Sequence, residues 1–354
     1  EAAYFDQFQP VSVNDMVSRI PGIGLALGGG GGGGGRGLGG GAGEILINGQ
    51  RITGKSNEGR SQLSRISADD VDYIEIIRGT SEEIDVRGGG QVVNIVLRAT
   101  ESRSSIAAEI STDRMQDSKL APGARLSYSG QNGNLNYLFH IQSDPNYVNQ
   151  VIRESSFDPE GVATERRLEE STRDQTNYET SVNLGYQFEK SMVQLNALYG
   201  QTAPPTDITR GIIGLAEDNP SVNLEREANQ GRRDNWELGG DYEYSFDNRS
   251  KFRVLFIVND RDFDFTRERF QVGSDEETKD LFLFSAARDR ERIARSSYTF
   301  NLLAGQAIEA GVEIAQTIRD SEIRLGNNDE GGEPSAAHGG LFPVDVDNAL
   351  SSVE

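Results

Sequence analysis

Residues 44–56 read EILINGQRITGKS, residues 67–79 read SADDVDYIEIIRG and residues 88–98 read GGGQVVNIVLR. Three short apolar runs stand in this stretch, each ended by a turn signal or a charge. Ile45-Leu46-Ile47 meets Asn48-Gly49, the pair preferred in two-residue type I′ hairpins because both positions must take positive φ. Asp72 to Ile77 alternates polar with apolar side chains, as a half-buried strand does, and the run closes on Glu75-x-x-Arg78-Gly79. Val92 to Leu97 is a third run and ends on Arg98. Nothing in the stretch has the makings of an active site; it reads as a small sheet.

Working outward, Val11 to Ile20 reads as a short helix. Ser12 three residues before Asp15 makes a capping box with Asp in the usual Glu/Gln place, Met16, Val17 and Ile20 share a face, and Pro21-Gly22 stops the turn. Ala26 to Gly43, with its glycine run from Gly28 to Gly35, is expected to be a mobile loop, because glycine loses the most conformational freedom on ordering. Ser67 to Asp70 predicts a turn or a single helical turn.

Two nucleotide-binding patterns occur and both read poorly. A GxGxxG match inside a run of glycines carries almost no information, and the strand that should precede it is missing. Gly49 to Ser56 matches the phosphate-loop pattern GxxxxGK[ST] literally. That mechanism needs a helix starting at Lys55, whose free N–H groups meet the phosphate. Instead, Asn57-Glu58-Gly59-Arg60 follows, and no alternating series of strands and helices builds a parallel sheet. A hairpin at Asn48-Gly49 is the plainer reading.

The chain has 354 residues, room for two domains, with only 35% apolar residues and 41 glycines. Thirty-five basic residues against 56 acidic ones give a net charge of −21, which repels phosphate backbones and disfavours nucleic acid as a partner. With no cysteine and two distant histidines, His140 and His338, neither a metal site nor an imidazole-based triad has much to build on, so no catalytic, metal or cofactor site is expected. No window approaches the roughly 18 apolar residues of a membrane-spanning helix. If the chain crosses a membrane, it does so as strands.

Strand texture begins after Thr100. Nine candidates of roughly nine to eleven residues, the length that crosses a bilayer at a tilt, run from Ser104 to Ile318. The cleanest are Tyr178 to Phe188 and Asn235 to Phe246, where one face is apolar and the other polar. Aromatic residues gather near strand ends, as an interfacial girdle does. Tight connections, such as Glu189 to Ser191 and Asp247 to Ser250, alternate with long polar ones: Asp144 to Asn177, Thr202 to Asp234 and Arg261 to Glu291. Short turns on one side and long loops on the other is the asymmetry of an outer-membrane barrel. Leu281 to Ala287 is read as a further strand or a loop hairpin, and Arg319 to Glu354 as a segment without another strand.

Five pieces resemble, in order, the plug domain of TonB-dependent outer-membrane receptors: Pro21-Gly22-Ile23, Arg36-Gly37, Ile45 to Gly49, Ile74 to Gly79 and Gly89 to Val96. The resemblance implies a membrane all-β fold, an incomplete antiparallel transmembrane β-barrel of about nine strands preceded by a small α+β plug. Its expected boundaries are residues 1–101 for the plug and 102–354 for the N-terminal part of the barrel. Because nine strands cannot close a barrel in lipid, the chain is expected to be a fragment, with the TonB-docking segment upstream and the remaining strands downstream.

By the same resemblance, Arg36, Gly37, Arg78 and Gly79 latch the plug to barrel carboxylates, with Glu75 a local partner of Arg78, and Asn48-Gly49 is the plug turn. Thr80, in place of the proline common after this turn, marks a divergent branch. The function implied is uptake of a scarce substrate across the Gram-negative outer membrane, with TonB and outer-membrane lipid as partners and no covalent chemistry. Iron chelates, cobalamin, oligosaccharides and peptides all remain open as substrates. The alternatives are a gated channel or surface-binding barrel without TonB coupling and, remotely, a soluble phosphate-loop protein. Arg232-Arg233 and the series Arg288, Arg290, Arg292 are basic clusters expected to pair with the neighbouring Asp234, Asp289 and Glu291.

Overall fold

The computed structural model describes residues 2–20, 44–51, 63, 65–78, 91–98, 102–215, 220–274, 276–303, 306–327 and 344–353. The expected loop from Ala26 to Gly43 and residues Ile52 to Ser56 of the phosphate-loop match lie outside them. Two sheets account for every strand: a four-stranded sheet within residues 44–97 and an eleven-stranded sheet within residues 102–353.

The small sheet has the order β2-β1-β4-β3, with β1 Glu44–Ile47, β2 Gln50–Arg51, β3 Val71–Arg78 and β4 Gln91–Leu97. Asn48 (φ 53°) and Gly49 (φ 77°) form the expected turn of positive φ between β1 and β2. β4 pairs in parallel with β1 and antiparallel with β3. One helix, α1 (Val13–Ser18), packs on this sheet, and its capping box is complete: Asp15 accepts from the Ser12 N–H at 2.9 Å and its own N–H donates to Ser12 Oγ at 3.4 Å. A 3-10 turn, Ala68–Asp70, is capped by Ser67. Val13, Met16, Val17, Ile45, Leu63, Ile66, Val71, Val93 and Ile95 make the core, which Leu138 of the large sheet joins.

The large sheet is wholly antiparallel between sequence neighbours. Its strands are β5 Ser102–Arg114, β6 Leu120–Asn132, β7 Leu135–Phe157, β8 Ala163–Gln187, β9 Ser191–Ala203, β10 Thr206–Gly214, β11 Ser221–Ser245, β12 Lys251–Val272, β13 Glu277–Leu303, β14 Gln306–Asn327 and β15 Val344–Val353. β9 and β10 share one place between β8 and β11. Pro204-Pro205 breaks them apart, because neither proline can donate to a ladder, while β8 and β11 run unbroken past the gap.

The wall is inverted relative to a soluble sheet. Along β11, Trp236, Leu238 and Tyr242 are 43%, 42% and 38% exposed, whereas Glu237 and Asp241 between them are 1% and 5% exposed. Ser127, His140, Ser181 and Asn196 are likewise buried on the inner face. Apolar outside and polar inside is what a membrane wall around a wet interior requires. Rings pair at the tight-turn end, Tyr186 with Phe188 at 4.6 Å and Tyr244 with Phe246 at 4.8 Å between centroids. Tyr199 stands opposite Trp236 at the other end. Ten residue steps from Trp236 to Phe246 span about 33 Å of strand, or about 25 Å of height at the tilt of such barrels, which matches their apolar band.

Three sequence expectations are corrected. The long connections are not loops: β7 and β8 stay paired out to Phe157 and Ala163, β12 and β13 out to Val272 and Glu277, and Leu281 to Ala287 is interior to β13. Arg319 to Glu354 does contain another strand, β15, paired with β14. The wall therefore has two strands beyond the nine expected, β10 and β15. These stretches escaped a search for apolar alternation because ion pairs, not lipid, hold their faces. Arg210 reaches Glu169 at 2.7 Å, Glu225 at 2.8 Å and Glu227 at 3.2 Å, and Arg267 holds Glu227 at 2.7 Å.

Burial raises the Glu227 carboxyl, but hydrogen bonds from Arg267 and Arg210 outweigh it and hold the group below its ordinary value; Glu225 is lowered in the same way through Arg210 and Gln271. A carboxyl lowered in the folded state stabilises fully above its unfolded value and loses that contribution as pH falls through the folded one. Amides of β10 and of residues 221–229 are therefore expected to keep their protection from about pH 8 to about pH 5, above the unfolded glutamate value of about 4.3, and to lose it in stronger acid. Glu227→Gln is expected to cost about 2 kcal/mol of local opening free energy at neutral pH, read by hydrogen exchange of the same amides.

Candidate functional site: the plug latch

Chain pairing at the base of the plug sets the geometry. Val13 N–H donates to Ile66 O at 3.0 Å, Asn14 N–H to Leu63 O at 2.9 Å and Ala68 N–H to Val11 O at 3.0 Å. The helix entry and residues 63 and 65–68 are thereby one unit. Leu63, Ile66 and Ala68 turn inward to the core, and Arg65 is carried with them although only 2% exposed. A buried cation requires an anion, and the wall supplies it: Arg65 Nη2 donates to Glu179 Oε1 of β8 at 2.5 Å.

A second clip lies nearby. Ser129 Oγ of β6 donates to Asp70 Oδ2 of the plug at 2.7 Å, in buried surroundings. Asp70 is itself placed by the 3-10 turn, and its carbonyl accepts from the Arg98 N–H at 2.9 Å, where the plug leads into the wall. Ser129 pairs with Leu138, and Leu138 with Asn183, four residues along β8 from Glu179. The two clips are thus about 13 Å apart along the strands. Between them, Ser127 Oγ and His140 Nδ1 lie 2.8 Å apart on the inner face. A cavity of about 250 Å³ opens beside Arg65, lined by Val11, Ser12 and Asp15 of the plug and by Glu109, Arg125 and Ser127 of the wall.

Of the latch residues expected from resemblance, Arg36, Gly37 and Gly79 lie outside the described residues. Arg78 closes β3 in register with Gln91, and its side chain lies outside them too. Glu75 has a partner inside the plug: it accepts from Asn94 Nδ2 at 3.3 Å. The same Asn94, 3% exposed, accepts the Gly49 N–H at Oδ1, 2.8 Å away. The Gly49 N–H is thus spent on the sheet. Asn48 Oδ1 accepts from the Leu97 N–H at 2.8 Å, so the plug turn is tied to β4 at both residues.

Arg65, Asp70 and Asn94 were missed in the sequence reading. A signal for Arg65 does exist: it is the one charge from Leu63 to Ala68, among residues that otherwise read as a buried face. Glu179 follows 114 residues later, and only the folded chain joins them. Among the described residues the basic clusters meet an expected neighbour in one case, and their other ion pairs run across strands. Arg232 does hold Asp234, at 2.5 Å, whereas Arg288 holds Asp260 at 2.5 Å, Arg290 holds Asp320 and Arg319 holds Asp289 at 3.4 Å. Arg233 lies over the Phe263 ring instead.

Arg65→Ala is expected to loosen the plug by about 2 kcal/mol, the worth of a hydrogen bond to a charged group. The measurement is the urea concentration at which β4 amides lose hydrogen-exchange protection. Adding Glu179→Gln to Arg65→Ala is expected to change it little, and a second loss of equal size would show that the two side chains act separately.

Residues 1–91 match the family model described as TonB-dependent Receptor Plug Domain. No curated protein matches the chain. Among solved structures, the ferric yersiniabactin uptake receptor FyuA from Yersinia pestis is similar at 11% identity and a TM-score of 0.34, over 88% of this chain and 52% of that one. The ferric citrate transporter FecA in its unliganded form is similar at 11% identity and a TM-score of 0.25, over 87% and 50%. The copper transporter OprC is similar at 12% identity and a TM-score of 0.24, over 80% and 55%. The chain spans about half the length of these structures. Residues 1–91 are thus a TonB-dependent receptor plug domain, and antiparallel strands of a membrane-barrel wall follow it.

Proposed function

We propose that residues 1–101 are the plug and residues 102–354 the N-terminal part of the barrel of an outer-membrane transporter that takes up a scarce solute under TonB coupling. The observation that carries this reading is the character of the plug–wall contact. Among the described residues Leu138 is the one wall residue in the plug's apolar core, while Arg65–Glu179 and Asp70–Ser129 are polar clips beside a cavity. An apolar seam can only be opened by exposing hydrocarbon to water. Polar clips exchange their partners for water at modest net cost, which suits a plug that must be released and reseated. The inverted wall supports the outer-membrane location, and the plug family supports TonB as the partner. The protein moves its cargo without covalent chemistry.

These residues contain no cysteine, so with any cysteine elsewhere in the full-length protein replaced by serine, a pair introduced by Asp70→Cys and Ser129→Cys can be bridged with a short cleavable bis-maleimide. Cells carrying the protein are grown on limiting ferric chelates, cobalamin, oligosaccharides or peptides in turn. One solute is expected to support growth only when TonB is present and the membrane is energised, with growth stopped by the bridge and restored on cleavage. Uptake that persists in uncoupled cells would make the protein a passive channel, and uptake indifferent to the bridge would mean that the plug is not released at these clips.

A further inference from the structure

From β8 to β12 the wall registers run without a shift, so a two-residue period carries one face across all of them. Glu179, which meets the plug, marks that face as inner. Through Gly200 and Asn235 its row reaches Arg261, and one row further out Asn177 and Thr202 lead to Arg233, opposite Phe263. The next row holds Gly231 opposite Phe265, and the one beyond it Arg173, Thr206 and Asn229. Three arginines and two phenylalanines among these side chains stand out against a chain of net charge −21. Most arginines of the wall are held by carboxylates, yet among the described residues Arg173, Arg233 and Arg261 have no ion pair. Asp289, in register with Arg261, is held by Arg319 instead.

The two phenylalanines form an aromatic shelf. Arg233 lies with its guanidinium 4.8 Å from the Phe263 ring centre, and Phe263 stacks with Phe265 at 6.4 Å and 11° between planes. Gly231, opposite Phe265, has no side chain to cover that ring; a Cβ there would sit 3.5 Å from it. Arg173 Nε and Asn229 Oδ1 are buried without a hydrogen-bond partner among the described residues, and Asn229 is only 8% exposed. A guanidinium held over a ring by cation–π attraction still has N–H groups to offer an anion, while the neighbouring ring offers a stacking face.

We infer that Arg173, Arg233, Arg261, Phe263 and Phe265 form a binding site on the inner wall, just beyond the plug, for an anionic ligand with a flat π face. The inference rests on the transport reading, in which this ligand is the cargo. Charge complementarity selects against cations, which the acidic remainder of the surface would otherwise draw in, and the paired rings select flat anions over compact ones.

The test uses the full-length protein in lipid nanodiscs, with pyrene-1,3,6,8-tetrasulfonate as the flat anion and inorganic sulfate as the compact one. Saturable binding of the pyrene anion is expected, poorly displaced by sulfate. Arg233→Ala and Phe263→Leu are each expected to weaken it about tenfold, and Arg233→Lys by an intermediate factor, while Arg232→Ala, on the outer face, leaves it unchanged. Melting of each variant checks that the wall is intact; should Arg233→Ala fail to fold, Arg233→Gln replaces it. Absence of saturable binding, or equal loss with Arg232→Ala, would overturn the site. Uptake of the growth-supporting solute separates the two readings: uptake indifferent to Arg233→Ala overturns the site alone, whereas pyrene-anion binding that follows the expected pattern without any energised uptake upholds the site and overturns transport.

Discussion

A strand in lipid has no water to satisfy its N–H and C=O groups, so every one must be met by a neighbouring strand. The rest of this structure depends on that constraint. It forces long, continuous ladders, and the ladders force a two-residue period that cannot slip without turning every side chain to the wrong face. The period places Trp236, Leu238 and Tyr242 toward lipid and Glu237 and Asp241 inward, and it carries the same division from β8 across to β12. Where the wall leaves the membrane the lipid no longer enforces an apolar face, and arginine–carboxylate ladders take over the same register.

The plug answers a different constraint. Below about a hundred residues a small sheet with one short helix has little core, and this one completes its own with Asn94, a buried amide that joins the Asn48-Gly49 turn to β3. Its attachment to the wall is correspondingly polar. Arg65 and Asp70 ride on the backbone unit formed by residues 11–14, 63 and 65–70, so a movement of the helix entry would act on both clips together. The physical separation is clear: apolar packing holds the plug's shape, and ion pairing and hydrogen bonding hold its place.

Much of this was legible beforehand because it is written in local chemistry. The capping box at Ser12, the positive-φ pair Asn48-Gly49 and the alternation of Tyr178 to Phe188 and Asn235 to Phe246 each have a mechanism that acts within a few residues. The extended hairpins were misread as loops because their stabilising pairs, such as Arg210 with Glu169 and Glu225, lie 41 and 15 residues apart. In one dimension such a segment is only a mixture of charges. β15 escaped for a related reason, since its run of Asp345, Asp347 and Asn348 offers little apolar signal.

By itself, the sequence determined that a short capped helix and a small sheet are followed by long strands of two-residue alternation, since turn chemistry, helix capping and two-residue periodicity are properties of neighbouring residues, while the reading of the first part as a plug came from its resemblance to a known family. Only the tertiary structure decided which residues hold the plug and which face the inner space. Glu179 is one of many acidic residues until β8 brings it to Arg65, and Arg233 is one of a basic pair until the β11–β12 register lays it on Phe263. Partners far apart in the chain are chosen by register, and register is a collective property of the sheet.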